Sequence, residues 1–413
     1  MRLIVLVVLV VAYLAGPAYG QMISQRGFAE VRATWFAQAA PRDSTRAVGD
    51  VLLREELFAK PRPWLQLAVG ADLRLNSHDQ VEGEWRVDVA ERGVRRPRLL
   101  LRRATATIAF RKVTVELGQQ FIRWGKTDIL NPTDRFAPRD YLNVVDTEFL
   151  PVAGVRASVQ ATDRDSLEGV WLPRFTPSRI PLVDQRWTAV PIDAPLVQLV
   201  DGGATWPERG QAGVRWSHVG SRVEYSVSLF DGLNHLPDIA ESVKRETLIP
   251  EIDIVRQYPS IRSYGADVAM PTPWLTLKGE VAYVTSRSAV SDEYVLYVIQ
   301  VERQTGEWVL VGGYAGEAVT NRRAAIAFAP DRGLTRSLVG RASYTIDANR
   351  SLAFETAVRQ TFDGAYGKLE YSQAFGQHWR ATLAGILIGG GQADFLGQYS
   401  RNSHLSLALR YSF

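Results

Sequence analysis

Apolar and polar residues change places at every second position along most of this chain. At the C-terminus Leu405, Leu407, Leu409, Tyr411 and Phe413 share one side, and Ser406, Ala408, Arg410 and Ser412 share the other. That is the period of a β-strand with two different surroundings. From Trp64 the code repeats: Leu65, Leu67, Val69, Ala71, Leu73 and Leu75 oppose Gln66, Ala68, Gly70, Asp72, Arg74 and Asn76. Ala29 to Gln38, Arg222 to Leu229 and Leu275 to Tyr283 behave likewise. Runs of roughly a dozen residues match a tilted strand crossing a bilayer. From Leu334 onward the chain reads as consecutive hairpins, with strands near 335–346, 350–361, 364–375, 378–390 and 402–413. Asp347-Ala348-Asn349, Asp363-Gly364 and Gly376-Gln377 supply the turn chemistry between them. The pattern predicts an all-β fold: a transmembrane antiparallel meander β-barrel of 14–18 strands, with 16 as the expected count.

Composition agrees. Hydrophobic residues make up 46% and charged residues 22%, and the mean hydropathy is −0.10. A barrel wall that alternates lipid-facing and water-facing residues averages near zero. Only Leu3 to Leu14 forms a long apolar run. It follows the positive Met1-Arg2 and precedes Pro17 and Ala18-Tyr19-Gly20. This reads as a signal peptide, residues 1–20, cleaved after Gly20, leaving a single barrel domain over 21–413. There is no cysteine, which excludes a disulfide framework and a lipid-anchored lipoprotein. The net charge of +4 is spread along the chain, so nucleic acid is not an expected partner. The last strand carries an assembly signal, Tyr411 and Phe413, of the kind that barrel-assembly machinery reads.

Two long connections hold the candidate functional residues. The first runs from Arg123 to about Pro151, after a strand at Val113 to Ile122. A loop of nearly 30 residues usually has a job. Folded inward, it would narrow the lumen and set an electrostatic filter with Arg123, Trp124, Lys126, Asp128, Asp134, Arg135, Arg139 and Asp140. Asp134 and Asp140 are also placed to cap short helices. The competing readings are a solvated external loop and a loop that only braces the barrel wall. The second connection, Pro173 to about Gly210, is rich in proline and carries Arg174, Arg179 and Arg186. These are expected at the mouth, facing anionic solutes or lipopolysaccharide phosphates. A third, Asp231 to Pro259, contains Leu236 to Lys244, read as a short loop helix.

Gly118-Gln119-Gln120, Arg123-Trp124-Gly125-Lys126-Thr127-Asp128, Asn131-Pro132-Thr133-Asp134 and Pro138-Arg139-Asp140-Tyr141 together resemble a poorly characterised family of proteobacterial outer-membrane proteins. That family carries a Trp-Gly-x-x-Asp…Asn-Pro-x-Asp…Pro-x-Asp segment after an early strand. Leu167 to Pro173 and Phe175 to Arg179 resemble its next strand and loop. The resemblance covers roughly residues 113–180. It implies a porin-like barrel in the cell outer membrane, of unassigned substrate, and it supplies no catalytic residues. The five histidines have no metal-ligand spacing, and no Gly-x-Ser-x-Gly elbow is present. The expectation is therefore a channel for small polar or anionic solutes, not an enzyme, without cofactor or metal. Its partners would be outer-membrane lipid and lipopolysaccharide, and a homo-oligomer is compatible with the pattern. A non-transport barrel for anchoring, adhesion or envelope assembly is the alternative. An N-terminal plug is not expected, because the first strand starts within about ten residues of the cleavage site.

Overall fold

The structure, a computed structural model, describes residues 23–41, 43–188, 198–244, 251–323 and 329–413. The expected signal peptide and its cleavage site lie outside them. Twenty-three strands are described and are numbered in chain order. The first five are β1 (Ile23–Phe36), β2 (Ala47–Arg62), β3 (Leu65–Asn76), β4 (Leu99–Phe110) and β5 (Val113–Gln120). The two-residue β6 (Arg139–Asp140) and β7 (Glu148–Phe149) precede β8 (Val152–Gln160) and β9 (Asp165–Leu172). Next come β10 (Gln198–Thr205), β11 (Gln211–Val219), β12 (Glu224–Leu233), β13 (Asp238–Lys244) and β14 (Glu251–Gln257). The wall continues with β15 (Ser260–Pro271), β16 (Thr276–Ser286), β17 (Glu293–Thr305), β18 (Trp308–Asn321) and β19 (Ser337–Thr345). It ends with β20 (Arg350–Arg359), β21 (Gly364–Phe375), β22 (Trp379–Gly390) and β23 (His404–Ser412).

Eighteen of these form one antiparallel sheet in which each wall strand pairs with the next. The sheet closes when β23 pairs with β1, from Phe28↔Ser412 to Phe36↔His404. Eighteen strands is the top of the expected range. Closure leaves no free edge, so wall strands pair with a neighbour on both sides in a medium that offers no other partner. Turns at one end are two to four residues long, and the connections at the other run up to 38.

Side-chain direction follows the alternation. On β1, Val31 and Trp35 are exposed outward, whereas Glu30 is buried inward. On β23, Leu405, Leu407 and Leu409 point out. An exterior of exposed aliphatics with buried carboxylates inside inverts a water-soluble protein and suits lipid as the outer solvent. Trp64, Phe110, Trp274, Trp308 and Trp379 are exposed at the short-turn end, where an aromatic girdle meets a membrane border.

One expected element is different. Leu236 to Lys244 contains no helix: Asp238–Lys244 is β13, which pairs antiparallel with β14, while β10 pairs parallel with β14. The second and third connections thus share a small sheet outside the barrel wall. Strand pairing between loops overrides the local helical pattern.

Candidate functional site

Residues 121–151 leave β5 and fold into the lumen. Within the turn, Thr127 Oγ1 lies 2.5 Å from Leu130 O and shares its one proton between that carbonyl and Glu280, and Asn131 Nδ2 donates to Thr127 O. This self-bonded bend turns several N–H groups one way. They meet Glu280, on the inner face of β16. Its carboxylate accepts Lys126 N at 3.0 Å and Thr127 N at 3.2 Å. It also accepts Thr127 Oγ1, Thr133 N and Thr133 Oγ1, each at 2.8 Å. Converging N–H groups are an anion-binding concavity, here filled by the wall's own carboxylate.

Further ties spread across the same side. Lys126 Nζ lies 2.6 Å from Glu224 on β12. Asp128 N donates to Gln300 on β17 at 3.0 Å, and Lys278 on β16 reaches Asp128 at 2.9 Å. Trp124 Nε1 donates to Glu168 on β9 at 2.6 Å. Trp124 and Phe136 are buried and meet edge to face, their centroids 4.9 Å apart. Phe136 packs the same way on Phe230 of β12. Glycines in the wall make room. A Cβ on Gly213 would lie 2.9 Å from the Phe136 ring, and one on Gly265 would lie 2.7 Å from Thr133 Cγ2. Gly125 has φ +101°, a backbone open to glycine, and a Cβ there would strike the Glu280 carboxylate.

The predicted loop residues therefore separate by role. Lys126, Asp128 and Trp124 fasten the loop to the wall. Arg135 pairs with Asp331 at 3.6 Å. Arg123 and Arg139 both stack on Phe149, at 4.0 and 4.4 Å. Asp134 is buried, accepts Trp124 N at 3.2 Å, and has Arg123 at 3.5 Å. Burial pushes its carboxyl up to about 7. Asp140 is buried too, but Arg96 holds it at 2.8 and 3.0 Å, with Arg179 at 3.4 Å. Burial alone would raise its pKa; the two guanidiniums outweigh that and hold it below the usual carboxylate range. Neither aspartate caps a helix, for residues 121–151 contain none.

The mouth arginines also part company. Arg174 is exposed. Arg179 is buried between Asp140 and Glu91. Arg186 is buried over the Phe36 ring at 3.8 Å, with Asn402 at 3.2 Å and Asp43 at 3.7 Å. Burial makes Arg179 and Arg186 clasps between loops; only Arg174 meets solvent.

Sequence reasoning passed over the connection 77–98. It supplies Arg96, Glu91 and Gln80, the last bonded to Gln185 at 3.0 Å. It also assigned Glu280 no part, although the alternation of Lys278 and Glu280 marked both as inward. A β-bulge between β3 and β4 hid Arg102 and Arg103. Arg102 lies over Phe121 at 4.6 Å.

The opposite wall, β19 to β23 and β1 to β3, meets the far end of the same loop: Asp146 pairs with Arg32 of β1, Glu148 pairs with Arg74 of β3 at 2.5 Å, and Val144 packs in a cluster with Val339, Tyr366 and Ile386. Small residues line part of it: Thr382, Ala384, Ser406 and Ala408. Charges on the wall itself pair across strands, Arg410 with Glu30 at 2.5 Å and Arg54 with Asp72 at 2.7 Å, while Arg32 reaches Asp146 of the loop at 3.0 Å. A cavity of 220 Å³ lies against this wall and one of 310 Å³ lies between it and the 121–151 loop, and Asp146 and Lys368 line both.

Comparison with known proteins supports the architecture. The crystal structure of Pseudomonas aeruginosa OccK3 (OpdO) has a TM-score of 0.54 and 12% identity, covering 94% of this chain and 96% of that one. Acinetobacter baumannii OccAB4 gives 0.55 and 10%, covering 95% and 99%. A BenF-like porin from Pseudomonas fluorescens Pf-5 gives 0.54 and 11%, covering 95% and 97%. At such identities the likeness is one of fold. No curated protein matches the sequence. Residues 101–306, which include the inward-folded loop, match a family described as a protein of unknown function, DUF1302, so the chain is similar to that family there and is a porin-like barrel by fold.

Proposed function

We propose that the protein is an outer-membrane channel through which small polar or anionic solutes pass without energy coupling. The observation that carries the reading is a loop held inside the barrel from wall to wall. Residues 121–151 are fastened to β9, β12, β16 and β17, and through Asp146 and Glu148 to Arg32 of β1 and Arg74 of β3. A loop fixed inside a barrel sets the width and the field of what remains. The exposed apolar exterior and its aromatic girdle suit the outer membrane, and the last strand suits recognition by barrel-assembly machinery. Arg174 is the mouth residue left to meet lipopolysaccharide phosphates or arriving anions.

Planar-bilayer recording from the folded protein tests the reading. Discrete conductance steps are expected, with polar and anionic solutes altering the current. Correctly folded protein that carries no current would contradict it and favour an anchoring or adhesion role.

A further inference from the structure

The connection between β3 and β4 holds a stretch that alternates as the wall does. Trp85, Val87 and Val89 are 68%, 36% and 40% exposed, with Arg86 and Asp88 between them. Both charges are engaged close by. Arg86 pairs with Glu82 at 2.9 Å. The Asp88 carboxylate accepts Ala90 N at 2.9 Å, and Glu91 N and Arg92 N at 3.1 Å. Arg98 lies over one face of the Trp85 ring at 5.1 Å. What the stretch presents outward is apolar.

Pairing on β4 gives the stretch its place. Toward β3 this strand pairs from Leu99, but toward β5 only from Ala104. Among the described residues, 99–103 therefore lack β5 beside them, and Val87 stands there in a parallel bridge with Leu99. Bridged partners point to the same face of a sheet. Leu99 pairs with Leu73, and Leu73 with Leu53, which is exposed on the lipid side. Val87 thus faces outward, and the period of two carries Trp85 and Val89 with it. Leu73 lies about 30 Å along the chain from Trp64 of the girdle. A barrel's tilt turns that into about 23 Å of height, near the top of an apolar band about 25 Å tall. The stretch runs parallel to β4, which descends from the long-loop end. Val89 therefore points deeper than Val87, and Trp85 stands at the border, where an amphipathic ring is favoured.

We infer that Trp85, Val87 and Val89 dock on the acyl chains of the outer leaflet, as a lipid-seated patch of wall beside β4. The patch is continuous with the lipid-facing band through Leu99 and Leu73. Its consequence lies at the mouth. Directly after it Asp88 turns the chain, so that Glu91 meets Arg179 and Arg96 meets Asp140 at 2.8 Å. The clasp over the lumen is thereby fastened to lipid. The inference rests on the outer-membrane reading.

The chain has no cysteine, so Val87→Cys and Val89→Cys each accept a single nitroxide label, with Leu407→Cys and Glu84→Cys as references. The barrel is folded into phosphatidylcholine vesicles. Power saturation is read with oxygen, which partitions into acyl chains, and with a neutral nickel chelate, which stays in water. Labels at 87 and 89 should match Leu407→Cys, with oxygen access high and nickel access low, and 89 should read deeper than 87. Glu84→Cys should be open to nickel. Nickel access at 87 and 89 equal to that of Glu84→Cys, with Leu407→Cys in lipid, overturns the inference and leaves the membrane reading standing. Protection of both sites from both reagents overturns it in favour of a covering protein. Leu407→Cys open to nickel overturns both. Val89→Asp should also speed trypsin cleavage after Arg92 or Arg95 severalfold in vesicles, and Val89→Leu should not. Equal rates would overturn the fastening of the mouth to lipid.

Discussion

The two sides of the lumen solve the problem of buried charge differently. On the filled side, Glu280 has no cation at hydrogen-bond distance among the described residues; it is held by three backbone N–H groups and two hydroxyls of the loop. On the other side, Glu30 and Asp72 pair with arginines from neighbouring strands. A carboxylate satisfied by backbone fixes a chain in place, because its donors cannot rotate away. A carboxylate satisfied by arginine fixes only a side chain. The glycines follow the same division: Gly213 and Gly265 lie under the loop, where a side chain would displace it.

The largest effect is expected at the clasp between the mouth loops. Arg179→Ala would strip Glu91 and Asp140 of a buried partner at once. Losing one member of a buried pair costs about 3–5 kcal/mol, so chemical unfolding should show a loss of about 4 kcal/mol. A loss below about 1 kcal/mol would mean that the mouth is not held there. Next comes Glu280→Gln. The amide keeps one acceptor but turns an N–H₂ toward loop donors, and an unsatisfied buried group costs about 1–3 kcal/mol. The expected result is a loss of about 2 kcal/mol together with noisier, larger single-channel currents. Lost stability with unchanged currents would separate the clasp from the passage.

A smaller effect depends on pH. Asp134 has a folded pKa raised from 3.8 to about 7, so the fold keeps the neutral form. Its contribution to stability is unpenalised below about 4, falls as pH rises to about 7, and levels off above that. Current noise from loop motion should therefore grow between pH 5 and pH 8, and Asp134→Asn should remove that dependence. Least affected is Arg26→Ala. The Arg26–Glu56 pair is solvent-exposed on its arginine side, and such pairs are worth about 0–1 kcal/mol. It serves as the control for substitution of a wall charge distant from the loop.

The fold was legible wherever each strand kept one face for lipid. Residues 65–75 and 405–413 alternate cleanly because both environments persist along their length. The alternation broke where a bulge set Arg102 beside Arg103, and no sequence period shows that. The position of the 121–151 loop was half legible. Its length and its mixture of charge with aromatics marked it as functional, but its fastening depends on Glu280, more than a hundred residues away and one inward carboxylate among several. Arg179 and Arg186 were misplaced for a related reason. An arginine in a proline-rich loop looks solvated until the chain that buries it is known, and the connection 77–98, which supplies Glu91 and Arg96, has no periodic pattern to announce it. Asp238 to Lys244 carried a helical spacing, yet backbone partners from another loop decided its conformation.

The central claim is that residues 121–151, seated on β9, β12, β16 and β17 and reaching Arg32 and Arg74 across the barrel, narrow the lumen. The direct measurement is single-channel conductance of the protein with Thr127 to Tyr141 removed, compared with the intact chain under the same salt. Conductance should rise severalfold and selectivity among charged solutes should weaken, with the barrel still folded. An unchanged conductance in a folded barrel would show that the passage lies elsewhere and would contradict the account.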